Sequence, residues 1–111
     1  MNIVTQLPAP VLTQAHRDAM AYIQELAITI SQQGTYAVHV SYSGINHEYT
    51  AHIVLFEDVD KGIFKARTVI NAHLPGRRQW SWMGATALED LQAMARELEA
   101  LLLTPPTGDA A

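Results

Sequence analysis

The chain has 111 residues, 49% of them hydrophobic and 16% charged, with a formal net charge of −4 and no cysteine. That length suits one globular domain over 1–111, and the missing thiols exclude disulfides, thiolate metal sites and cysteine nucleophiles. The longest apolar runs fall far short of the ~18–20 residues of a membrane span, and no charged region precedes an apolar one at the start, so a cytoplasmic domain is expected.

The first ten residues end in Pro8-Ala9-Pro10, an extended lead-in that cannot be helix interior. Leu12, Ala15, Ala19, Ile23, Leu26 and Ile30 then recur at steps of three and four, drawing one apolar stripe along a helix of about residues 11–33. Thr13 is a candidate N-cap, and Gly34 supplies the stop. The period next falls to two. Tyr36, Val38, Val40 and Tyr42 alternate with smaller or polar residues, which predicts a first strand. A second alternating run covers His47 to Glu57, and a third, rich in β-branched residues, covers Ile63 to His73. Asp58 to Gly62 reads as the turn between them.

Leu74-Pro75-Gly76-Arg77 has the Pro-Gly pair of a type II turn. Residues 78–83 after it read as a short fourth strand or an ordered loop. Thr86 and Glu89 have the spacing of a capping box, and Leu88, Leu91, Ala95, Leu98 and Leu102 continue a helical stripe. Pro105-Pro106 ends that helix, and 104–111 is expected to be a flexible tail. The expected fold is α+β, a three- or four-stranded antiparallel sheet flanked by an N-terminal and a C-terminal helix.

Parity sorts the strand residues. Pairing Ser43 with Asn46 sets Val40 against Tyr49 and Val38 against Ala51; pairing Glu57 with Gly62 sets Leu55 against Phe64 and Ile53 against Ala66. One face is then apolar and takes the first helix. The second helix either joins it or covers the other face. That other face carries His39, Glu48, Thr50, His52, Val54, Phe56, Ile63, Lys65, Arg67, Val69 and Asn71, with His39 and His52 diagonal. Trp80 and Trp82 fall beside Val69 if a fourth strand forms. Solvent alone rarely meets so many large apolar groups on one sheet face.

Five of the seven basic residues (Lys61, Lys65, Arg67, Arg77, Arg78) lie in the 61–78 stretch, which holds no acidic residue. Arg77, Arg78, Trp80 and Trp82 then interleave guanidinium groups with indoles, the residue types of interface anchors and also of nucleic-acid grips. Helix, three strands and helix is also the order of the double-stranded RNA-binding domain. Thr86, Ala87, Leu88, Glu89 and Asp90 stand where that family has a lysine cluster, so no family is assigned. No Gly-x-Ser-x-Gly elbow, phosphate loop or closely spaced histidine pair appears, and neither catalysis, a cofactor nor a metal is expected.

The expected function is therefore non-enzymatic protein binding, through the open sheet face and the Arg77–Trp82 segment. The expected contact residues are Arg67, Arg77, Arg78, Trp80, Trp82, His52 and Phe56. Homodimerisation is a further expectation. A phage or mobile-element inhibitor of a host machine would have this character. The alternative is a nucleic-acid-binding module using the basic 61–78 stretch.

Overall fold

A computed structural model of the chain describes residues 11–76 and 84–102. The elements run α1 (Gln14–Gln32), β1 (Tyr36–Ser43), β2 (Glu48–Leu55), α2 (Phe56–Asp60), β3 (Thr68–His73) and α3 (Ala87–Glu99). The three strands form one antiparallel sheet in the order β1-β2-β3. This is the expected α+β architecture. The expected fourth strand, 78–83, lies wholly outside the described residues, as do the lead-in 1–10 and the expected tail 104–111.

α1 starts where the sequence places its cap. The Thr13 N–H donates to Nδ1 of His16 at 3.0 Å, so a histidine fills the reciprocal position of the capping box. The helix ends before Gly34, whose φ of 91° is the left-handed conformation that a C-terminal stop requires. Ile23, Leu26, Ala27 and Ile30 are its buried stripe.

α3 presents Ala87, Leu91, Met94, Ala95 and Leu98 to the same core. Its expected capping box does not form. The Thr86 hydroxyl donates to Asp90 at 3.0 Å instead.

Both helices lie on one face of the sheet. α1 packs on β1, α3 packs on β3, and the helices pack on each other over Tyr49, Ala51, Ile53 and Ala72. The second helix thus joins the first, which decides between the two arrangements left open by the sequence. Ile23, Leu26, Ile53 and Leu98 are buried as expected, but Val38 is only half-buried. It sits on an edge strand, so α1 covers it from one side only.

The face assignment holds while the pairing shifts by two residues at each hairpin. Val40 opposes Ala51 and Val38 opposes Ile53; Ile53 in turn opposes Thr68, and Ala51 opposes Ile70. At the first hairpin the strands close at Ser43–Glu48, leaving a four-residue loop, 44–47. Ser43 Oγ accepts the Asn46 N–H at 3.2 Å, and His47 takes φ 52°. With no Asn-Gly or Asp-Gly pair, nothing enforces a two-residue turn, and the serine side chain closes a longer one.

The second shift has a different cause. Phe56-Glu57-Asp58-Val59-Asp60 does not continue β2 but forms the short helix α2. Glu57 and Asp58 fall in its first turn, where acidic groups favour a helix N-terminus, and Lys61 pairs with Glu57 at 3.7 Å. Gly62, at φ 81°, ends it. β3 consequently starts at Thr68 rather than Ile63, and Phe64, expected on the core face opposite Leu55, is 73% exposed.

Candidate functional site: the bare sheet face

With α1 and α3 on one side, neither long helix covers the other side of the sheet. Its residues form a grid of four rows set by the register. Ala37 opposes Val54. His39, His52 and Val69 form the second row, Ser41, Thr50 and Asn71 the third, and Ser43, Glu48 and His73 the last. Val69 is 51% exposed.

The second row is the chemical centre of this face. His39 and His52 are directly opposed, not diagonal as expected from the sequence, and their ring centroids lie 5.9 Å apart at a tilt of 51°. The buried Nδ1 of His52 has no hydrogen-bond partner among the described residues. A buried polar atom left unpaired costs about 1–3 kcal/mol. The pair does not extend to a chelating cluster. His73 lies in a different row, and no group of three or more His, Asp or Glu side chains among the described residues could hold a metal ion.

Two expected contact residues are placed differently. Phe56 opens α2 and is half-buried there instead of standing on the sheet face. Arg67 immediately precedes β3, where its Nε donates to Asp58 Oδ2 at 3.3 Å and its N–H donates to Ile53 O at 2.8 Å. That guanidinium braces α2 against the start of β3. Arg77, Arg78, Trp80 and Trp82 lie outside the described residues. The residues that bracket their segment are placed: Gly76 ends the buried Leu74-Pro75 turn, and Gly84 packs against the backbone of the same two residues.

The basic stretch is less cationic in three dimensions than in one. Lys61 is paired with Glu57 and Arg67 with Asp58, so α2 supplies the acids that 61–78 itself lacks. Lys65 is the one described cation of the stretch without such a partner.

Two further features lie away from this face. Between α1 and α3 an open groove of about 720 Å³ is spanned by Tyr22, whose hydroxyl donates to Glu99. That hydrogen bond, then burial, then the carboxylate charge raise the Tyr22 pKa. The second feature, a groove along the free edge of β1, was missed by the sequence reading. Its signal was an edge strand with no charged residue, which only the strand order could reveal as an edge.

No described helix is long and apolar enough to cross a membrane. Comparison with known proteins returns no matching family model, no matching curated protein and no matching solved structure.

Proposed function

We propose that this domain is a non-enzymatic protein-interaction module whose bare sheet face, together with the Arg77–Trp82 segment, binds a protein partner. The observation that carries this reading is the placement of α1 and α3 on one side, which leaves the row His39, His52, Val69 without a long helix over it and Val69 51% exposed. An exposed valine beside two opposed imidazoles is a surface that a partner's contact can cover. The role of an inhibitor that occupies a host machine is the narrower form of the same proposal. The nucleic-acid alternative loses support from the ion pairs of Lys61 and Arg67, which among the described residues of the stretch leave Lys65 alone without an acidic partner.

The test uses affinity capture from cells that produce the protein, with the captured protein identified and its binding remeasured from purified components. Val69→Glu, Trp80→Ala and Trp82→Ala are compared with the unaltered chain, each with its own thermal melt. The proposal expects Val69→Glu and at least one tryptophan change to weaken binding by roughly 2 kcal/mol or more while the melting midpoint moves little. Binding that survives all three changes, or that collapses between low and moderate salt, would remove the sheet face from the function.

A further inference from the structure

The free edge of β1 is a second surface, distinct from the bare face. β1 is an edge strand by the sheet order. Ser31 Oγ, on α1, accepts the Val38 N–H at 2.9 Å, which shows that the main-chain groups of Val38 point away from β2. The alternation of an antiparallel ladder sends those of Val40 and Tyr42 the same way. Natural edge strands are blunted by charge, proline, bulges or shortness. β1 has eight residues, none charged and none proline, all paired to β2 in continuous register.

A groove runs beside this edge. Two adjoining cavities of about 460 and 360 Å³ share Gln24 and follow the flank of α1 that faces β1. Met20, Ile28, Val38, Val40 and Tyr42 supply its apolar lining. Ile28 and Tyr42 are 43% and 51% exposed. The ends differ in chemistry. Ser31 lines one end and occupies the Val38 donor, while at the other end Arg17 stands beside Tyr42 with no ion-pair partner among the described residues.

We propose that this groove binds an extended segment of a partner protein as a strand added to β1, pairing with the main chain of Val40 and Tyr42. The segment would carry apolar side chains at alternate positions, which enter the groove under α1, and an acidic side chain at the Arg17 end. The geometry favours a lone strand over a second copy of this chain. Ser31 reaches the outward N–H of the edge, so α1 lies along the rim of β1. A two-fold pairing of β1 with itself would bring a second α1 onto the same side of the joined sheet. Neighbouring strands are only ~4.8 Å apart, whereas packed helices need about 8–10 Å. A strand without its own helix meets no such conflict.

The experiment titrates the isotope-labelled full chain with a short blocked peptide, Glu-Val-Thr-Val-Thr-Val, and follows chemical shifts and amide exchange. In the free chain Val38 should be protected by Ser31, while Val40 and Tyr42 exchange freely. The peptide should protect Val40 and Tyr42. Arg17→Gln should weaken it roughly three- to tenfold, as should replacing the peptide glutamate by glutamine, with no further loss when both changes are combined. Ile28→Glu, on an exposed position of α1, should abolish binding, and Val69→Glu on the bare face should leave it unchanged. Three results would overturn the proposal. One is protection of Val40 and Tyr42 already in the free chain; if dilution abolished it, a second copy would be the occupant, and if not, the chain itself would be. The second is a peptide footprint confined to His52, Val69 and Asn71 on the bare face. The third is no binding at millimolar peptide.

Discussion

His47 Nε2 and the carbonyl oxygen of Pro75 lie 2.5 Å apart, tying the β1–β2 loop to the turn that follows β3. A carbonyl only accepts, so Nε2 carries a proton, and Nδ1 forms a hydrogen bond with the Tyr42 hydroxyl at 3.1 Å. The Leu74 N–H adds a bond to the His47 carbonyl at 2.9 Å. One residue in a left-handed conformation therefore joins three parts of the sheet end. His47→Gly keeps that backbone conformation available and removes both ring contacts. It should cost about 1–2 kcal/mol in a urea melt. A loss near zero would show that the ring contacts are replaced by water.

Gly84 allows an independent check of the same corner. A Cβ added there would fall 2.6 Å from Pro75 Cα, and its φ is 89°. Gly34 has nearly the same φ, 91°, with nothing within 4 Å of its added Cβ. Alanine at Gly34 should therefore cost only the backbone term, about 1 kcal/mol, whereas Gly84→Ala should add a steric term and cost roughly 2–4 kcal/mol. Equal losses in paired melts would mean that the turn yields freely to the new methyl group.

These corners also show what could be read in advance. The Pro75-Gly76 turn was legible because Gly76, at φ 95°, meets a local requirement that two adjacent residues announce. The two sheet faces were legible because a shift of two residues preserves parity. The register was not, since Ser43 closing on Asn46 and the five-residue helix from Phe56 change loop lengths without disturbing the alternation. Asp58 to Gly62 reads as a turn in one dimension, and only the Lys61–Glu57 pair and the left-handed Gly62 reveal that it is helical. The direct opposition of His39 and His52 followed from that shifted register. The loss of Phe56 from the face followed from α2 itself.

The core should respond in proportion to how completely each residue is enclosed. Leu26→Ala and Ile53→Ala remove side chains that are 7% and 5% exposed and should each cost about 2–4 kcal/mol. Val38→Ala lies on the same face but at the open edge, so its cost should stay near about 1 kcal/mol. Denaturant melts of the three variants order these losses. A Val38 loss as large as that of Ile53 would mean that the β1 edge is covered in solution.

Stability should fall at alkaline pH through two tyrosines. Burial raises the Tyr49 pKa, and its hydroxyl donates to the Met20 carbonyl at 3.2 Å; the Glu99 carboxylate raises that of Tyr22 by accepting its hydroxyl proton, with burial second. A folded pKa above the unfolded value of about 10 means that the neutral form is held more tightly in the native state. That contribution is fully present below about pH 10 and is lost as pH rises through the folded values, because the native state must then release protons that the unfolded chain has already shed. Tyrosinate absorbance titrated in native buffer and in urea should show two tyrosines ionising later in the native protein. Tyr22→Phe should remove one of the two and leave stability near neutral pH little changed, since Tyr22 is 47% exposed. Tyr49→Phe should remove the other and also lower neutral-pH stability by about 1 kcal/mol, the worth of its bond to Met20. Four tyrosines titrating together in both states would show that neither hydroxyl is held by the fold.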